Sequence, residues 1–380
     1  MRPAARFLAV MAVGLLPALA GASHRAQAHV PWPKGAPVEA ALTRIEPGNE
    51  EDGRLVLADL RTGTMKEIDS RAVGMRWSPD GSLLAYCAGK KLQELRIYRV
   101  RDGAIAVRRA AACAAYEWAF SPDGQSILSV EEDHIDVLSL PALETMEVIV
   151  GPAGMCLDGA PTWLHDGRTF AVCGLRREPL HGDIEKAIEE ARRGKIARQL
   201  VMVQLDAGQP RATVLAPEFE DCKILGVRRA RWLVLAGYPS DVDTVGPEGS
   251  RERLISSPPE DPYSYPYEPD AYFESLDSLV LGRSATGDRA PTLKVLVPLA
   301  GGHRRPWLKQ FPRLRDVAVS DDEQWVLFEV LAQVPRGDTG NNALYLARSN
   351  GTGAFRVLKP RTDETWYVDA VPRPLPNLLR

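Results

Sequence analysis

Trp77-Ser78-Pro79-Asp80-Gly81, Phe120-Ser121-Pro122-Asp123-Gly124 and Trp163-Leu164-His165-Asp166-Gly167 recur 43 residues apart. The runs SLLAYCAG, QSILSVEE and RTFAVCGL follow them, then LRIYRV, HIDVLSL and RQLVMVQLD, then AIAVRR, TMEVIV and RATVLAP. Each unit reads as four short strands, the aromatic closing the first and Asp-Gly turning the chain into the second. Four strands in about 40–45 residues is the size of a β-propeller blade. Asp80, Asp123 and Asp166 are turn residues in this reading, their carboxylates accepting backbone N–H bonds.

Outward from the three clear units the period loosens. A fourth begins near Leu225-Gly226-Val227, about 64 residues after Trp163, and the excess matches an insertion between Arg176 and Lys195. A fifth begins at Val317-Ala318-Val319, with Ser320-Asp321-Asp322 in place of Ser-Pro-Asp. Residues 54–68 read as third and fourth strands, and residues 365–371 as a lone first strand, so the two termini share one blade and close the ring. The expectation is an all-β propeller of about six blades over residues 54–380, after a lead-in at 29–53, with one short inserted helix.

The Trp-Ser-Pro-Asp-Gly and Phe-Ser-Pro-Asp-Gly turns, each followed by an apolar strand, resemble the Pro-Asp repeats of TolB-like (WD40-like) propellers and those of prolyl oligopeptidase-like peptidases. The resemblance covers roughly residues 54–360 and implies a scaffold with a central channel and a loop-built binding face. It speaks for fold and little for function. About 40 residues precede the first full blade, too few for the separate α/β domain of TolB, and no Gly-x-Ser-x-Gly nucleophile elbow occurs.

The N-terminus reads as an address. Arg2 and Arg6 precede an apolar run over residues 7–21 that carries Pro17, and Ala26-Gln27-Ala28 presents small residues where a signal peptidase cuts. Residues 1–28 are thus expected to be a secretory signal, and the product periplasmic or secreted; an uncut membrane anchor is the weaker alternative because the run is short for a bilayer span. With 47 basic against 50 acidic residues, no general basic surface is left for a nucleic-acid backbone. The expected product is a monomer with no membrane span in the mature chain.

Five cysteines in an exported chain invite disulfides. Cys87 and Cys173 each lie ten residues after the aromatic of their unit, and Cys113 and Cys156 each lie seven before theirs. One scheme pairs Cys156 with Cys173. The favoured one pairs Cys87 with Cys113 and Cys173 with Cys222, explaining two bonds by one geometry and leaving Cys156 as a thiol. A set of reduced, buried cysteines is the remaining possibility.

Loops on a rigid scaffold carry recognition, so the insertions are the candidate sites. Residues 183–198 place Ile184, Ala187, Ile188 and Ala191 at helical spacing, as a lid, a docking helix or a packing element. The second insertion, residues 238–273, holds Asp241, Asp243 and Glu252 at positions 1, 3 and 12 of a calcium-loop spacing, although Val245 replaces a ligand at position 5. No other cofactor is implied. Tyr263, Tyr265, Tyr267 and Tyr272 then stand among five prolines, offering stacking faces that lose little entropy on binding. The histidines show no metal spacing, and Glu131, Glu132, Asp133, His134 and Asp136 form an acidic patch at a turn. Two functions remain open: a non-catalytic propeller that binds a partner protein or an envelope polymer through its loop face, or a hydrolase or lyase with its site in the central channel.

Overall fold

The structure is a computed structural model and describes residues 32–45, 53–89, 93–109, 117–176, 198–205, 210–219, 222–237, 241–256, 267–284, 292–301, 303–311, 313–320, 322–331, 342–358 and 366–374. The N-terminal signal expected over residues 1–28 and most of the helix expected over 183–198 lie outside them. Arg198 is within them and opens a strand.

Three strands come first in the chain: β1 (Glu39–Ile45), β2 (Arg54–Asp59) and β3 (Met65–Ser70). Blade 1 is β4 (Val73–Trp77), β5 (Leu83–Ala88), β6 (Glu94–Arg99) and β7 (Ile105–Arg109). Blade 2 is β8 (Trp118–Phe120), β9 (Ser126–Val130), β10 (His134–Ser139) and β11 (Thr145–Val150). Blade 3 is β12 (Met155–Trp163), β13 (Thr169–Arg176), β14 (Arg198–Gln204) and β15 (Arg211–Phe219). Blade 4 is β16 (Lys223–Arg228), β17 (Arg231–Gly237), β18 (Asp241–Val245) and β19 (Arg251–Ile255). Blade 5 is β20 (Tyr267–Phe273), β21 (Ser278–Ser284), β22 (Thr292–Pro298) and β23 (Arg305–Pro306). Blade 6 is β24 (Leu314–Val319), β25 (Trp325–Leu331), β26 (Asn342–Arg348) and β27 (Phe355–Leu358). The last strand, β28 (Trp366–Pro372), returns to pair with β1, so blade 7 takes its inner strand from the C-terminus and three strands from the N-terminus. Residues 35–380 form one compact unit. The ring is a seven-bladed propeller of antiparallel four-stranded sheets.

Two expectations change. The blade count is seven, because residues 238–273 are not an insertion: they supply β18 and β19 of blade 4 and the inner strand of blade 5. Blade 5 escapes the motif because its first turn is Glu274-Ser275-Leu276-Asp277 and its fourth strand has two residues. The lead-in also contributes a strand, since β1 pairs with β2 from Glu39↔Asp59 to Arg44↔Arg54.

The strand pattern follows from where each strand sits. A second strand lies mid-sheet, covered by the preceding blade on one face and the next on the other, so it is apolar without alternation: all six residues of β5 (LLAYCA) are buried. A fourth strand lies on the rim, and in β11 only Ile149 is buried. The core is accordingly a set of layers between blades, such as Leu83, Ala85 and Cys87 against Trp118, Ile127 and Leu138. Each Leu or Ile fully buried in such a layer contributes about 1.5–3 kcal/mol.

The repeat motif performs one local task. The Ser78 hydroxyl donates to Asp80 (2.6 Å) and accepts the Leu83 N–H (2.9 Å), and Asp80 accepts the Ser82 N–H (2.9 Å). Blade 2 repeats this with Ser121 and Asp123, blade 6 with Ser320 and Asp322. The Ser121 hydroxyl and Gln125 N–H hold Asp123 below its ordinary pKa. Gly81 and Gly124, both at φ 67°, close the turn in the left-handed region. In blade 6 Glu323 takes that place at φ 51°, and its carboxylate accepts the N–H groups of Glu274 (2.9 Å) and Ser275 (2.6 Å) in blade 5. The strained backbone thus joins two blades.

Candidate functional site

Because each sheet is antiparallel in chain order, its connections alternate between two faces of the ring. First-to-second and third-to-fourth strand connections lie on one face, and none exceeds six residues. Second-to-third and blade-to-blade connections lie on the other, running to 21 residues at 177–197, 11 at 256–266 and 10 at 332–341.

The short-turn face is tied to itself. His165 of blade 3 reaches Glu274 of blade 5 (2.9 Å) across the two-residue turn of blade 4. Arg228 of blade 4 makes a fork to Asp277 of blade 5 (2.5 and 2.8 Å), which holds the Asp277 carboxyl below its ordinary pKa. Arg373, which follows β28, donates to the Gly81 carbonyl of blade 1 (2.8 Å) and pairs with Glu39. These turns set the ring's geometry.

The long-loop face holds the described residues with the most unusual chemistry, at the inner ends of blades 2 and 3. β12 carries a bulge between Asp158 and Thr162, where Gly159 adopts φ 92° and turns its N–H to Glu117 Oε1 (3.1 Å). Glu117 stands immediately before β8, and its carboxyl hydrogen-bonds that of Asp158. Burial first, then the charges of Asp158 and Glu131, push Glu117 up to about 7. Arg198, at the start of β14, lies 3.7 Å from Asp158. The two carboxyls face each other, and Glu117 keeps its proton to higher pH than an ordinary glutamate. Cys156 Sγ lies nearby on β12, 4.0 Å from Glu132 Oε1.

The raised pKa of Glu117 has a stability signature. Folded Glu117 holds its proton to about pH 7, whereas an ordinary glutamate releases it near 4.5. Stability from this group is therefore greatest below that window and falls as pH rises through it. Glu117→Gln keeps an acceptor for Gly159 and removes the titration. Urea unfolding should show the variant equal to the parent at about pH 4.5 and more stable at about pH 8, by roughly 1 kcal/mol after solvent screening. Parallel curves for the two proteins would contradict the assignment.

The sequence-predicted residues are placed as follows. Tyr263 and Tyr265 lie outside the described residues. Tyr267 opens β20, opposite Arg283. Tyr272 is an inner-strand residue of blade 5: a Cβ on Gly226 of blade 4 would stand 2.8 Å from its ring, and burial together with Asp277 and Glu274 raises its phenol pKa. The four tyrosines are thus not one loop.

Asp241 and Asp243 lie in β18 and Glu252 in β19 of one hairpin, where Asp243 is opposite Arg253 and Thr244 opposite Glu252. Strand alternation therefore sends Glu252 to the other face of the sheet from Asp243. Arg251 and Arg253 pair with Asp243, and Arg253 with Asp241, so the calcium spacing is a strand hairpin and the three oxygens are not gathered. Among the described residues no group of three or more His, Cys, Asp or Glu is arranged to hold a metal ion. Cys173 in β13 is bonded to Cys222, just before β16, with Cα atoms 5.9 Å apart. Cys87 is also disulfide-bonded, and Cys113 lies outside the described residues. No helix among the described residues is long and apolar enough to cross a membrane.

Glu117 and Asp158 carry no motif, and the sequence reading passed over both. Asp158 sits between Leu157 and Gly159, and a glycine inside a strand pattern is the one signal of a bulge that was there to be read.

No family model matches the chain, and no curated protein matches its sequence. Solved structures do resemble it. An oligogalacturonate lyase in complex with manganese is 14% identical, the match covering 86% of each chain at a TM-score of 0.56. Prolyl oligopeptidase B from Galerina marginata is 11% identical over 83% of this chain and 48% of its own, at 0.54. TolB from Acinetobacter baumannii is 14% identical over 89% of this chain and 67% of its own, at 0.49. At these identities the likeness is one of fold alone, and the fold of this chain is a seven-bladed propeller.

Proposed function

We propose that the protein is an exported propeller that binds a partner protein or an envelope polymer on its long-loop face. The observation that supports this most is the division of the connections: nothing on one face exceeds six residues, whereas the other bears every long connection and the Glu117–Asp158 pair. Export is supported by the disulfides and by the N-terminal sequence.

A second reading, catalysis by a hydrolase or lyase, is favoured by one observation. Glu117 is poised to hold a proton near neutrality beside a second carboxyl, as a general acid needs.

Capture from envelope extract separates the two. Residues 29–380 should retain a partner stoichiometrically, a deletion of residues 258–265 that spares β20 should lose it, and both proteins should unfold at the same temperature. Retention unchanged by the deletion and by Glu117→Gln would move the site off this face. If nothing is retained, while an envelope polymer is cleaved and Glu117→Gln stops the cleavage, the catalytic reading stands.

A further inference from the structure

Arginines in this chain find carboxylates: Arg96 with Asp69 at 2.7 Å, Arg108 with Asp136 at 2.6 Å, Arg228 with Asp277 at 2.5 Å. Arg76 does not pair with any carboxylate among the described residues. It stands on β4, the innermost strand of blade 1, with its guanidinium 5.3 Å from the centre of the Trp118 ring on β8, the innermost strand of blade 2. Surrounding protein desolvates it enough to lower its pKa, yet the side chain keeps an open, solvent-exposed side. A group enclosed and wet at once lines a cleft.

The ring supplies the cleft. First strands of successive blades lie close together from β8 through β12, β16, β20, β24 and β28 to β4. The approach is slightest at the remaining step, between β4 and β8, which the Arg76–Trp118 contact spans. The fold does not ask for a cation here. One residue before the close of their inner strands, blades 2, 3, 5 and 6 carry Ala119, Thr162, Tyr272 and Ala318. An enclosed guanidinium with no counter-charge costs stability, and such costs collect where function needs them.

We propose that Arg76, held against the buried Trp118 ring, forms a binding site for a carboxylate-bearing ligand in the inner wall between blades 1 and 2. The planar guanidinium fork matches a carboxylate with two parallel hydrogen bonds, and stacking on the indole fixes its plane beforehand. A singly charged carboxylate suits the site better than a phosphate dianion, because Glu117 directly precedes Trp118 and Glu131 lies near Glu117. The site lies in the ring wall and does not depend on the long-loop reading.

Phenylglyoxal footprinting of the full chain, read by mass spectrometry, tests it. Arg76 should react faster than the exposed Arg61, since a lowered pKa gives more of the reactive neutral form. Acetate or free triglycine should slow the reaction at Arg76 by about threefold at twice its dissociation constant, leaving Arg61 unchanged. Protection by triglycine and not by its amide identifies a peptide C-terminus as the ligand class, and protection by acetate alone a small acid. The same probes should raise the melting temperature of the parent and not of Arg76→Ala, which should itself melt no lower. Equal protection by inorganic phosphate would overturn the carboxylate assignment. Absence of protection by every probe, or a lower melting temperature for Arg76→Ala with no probe-dependent rise in the parent, would make Arg76 structural and overturn the site.

Discussion

Asp243→Ala should destabilise the protein by about 3 kcal/mol. The Asp243 carboxylate is fully buried on β18, and Arg251 and Arg253 both pair with it across the β18–β19 hairpin. Arg251 in turn stacks on Phe219 of blade 3, its guanidinium 4.9 Å from the ring centre, and donates to the Glu218 carbonyl at 3.4 Å. Asp243 therefore aims a side chain of blade 4 at blade 3. Removing it leaves two guanidinium groups facing a cavity where a charge stood. Cutting one partner from a buried ion pair costs about 3–5 kcal/mol, and the low end applies because the side chains of Arg251 and Arg253 are 28% and 37% exposed and regain some hydration. Asp243→Asn keeps an acceptor without the charge and should lose about half as much. Replacing Asp243, Arg251 and Arg253 together by leucine or methionine should come close to neutral, since desolvation of the triad ends with its attraction. Urea unfolding at neutral pH decides it: a loss below about 1 kcal/mol for Asp243→Ala would mean that the carboxylate does not organise the joint.

The same hairpin shows what the sequence carried and where it failed. The repeat at Trp77, Phe120 and Trp163 was enough for the fold class, because Ser-Pro-Asp-Gly is a local device: each hydroxyl and carboxylate bonds within five residues, so its meaning survives without tertiary context. The ring's closure was legible for a similar reason, as residues 54–68 and 365–371 each lacked the strands the other supplied. Blade 5 was illegible because its turn is held by long-range partners, Arg228 and Glu323, in place of a local motif. Asp241, Asp243 and Glu252 misled because a spacing of 1, 3 and 12 says nothing of face: on a strand the period of two separates Asp243 from Glu252, and only the pairing register shows it. Glu117 was hidden for another reason. Its pKa is raised by burial first and then by Asp158, 41 residues away in the next blade.

Loss of the Cys173–Cys222 disulfide should cost about 4 kcal/mol, the chain-entropy value for a loop of 49 residues. The bond joins the second strand of blade 3 to the start of blade 4 and spans the 177–197 connection, so it constrains the unfolded chain over the longest excursion in the ring. Cys173→Ala/Cys222→Ala should show this deficit in urea, and Cys156→Ser should leave stability within about 0.5 kcal/mol of the parent. The combination with Asp243→Ala says where the bond acts. Cys222 and Phe219 share one apolar cluster, and Arg251 lies on Phe219, so the disulfide and the Asp243 triad meet at the same joint. If the disulfide works by restricting the unfolded state, the two losses add within about 0.5 kcal/mol, because Asp243 acts on the folded state alone. If it works by clamping the folded joint, removing it first should let blade 4 relax around the arginines that have lost Asp243, and the combined loss should fall short of the sum by 1 kcal/mol or more. Additivity is the expected result. The joint is already packed by Trp232, Val234 and Phe219, all nearly or wholly buried, and Trp232 donates its indole N–H to the Thr162 carbonyl of blade 3 at 3.0 Å. With those contacts in place, the sulfur bridge has little left to hold in the folded ring.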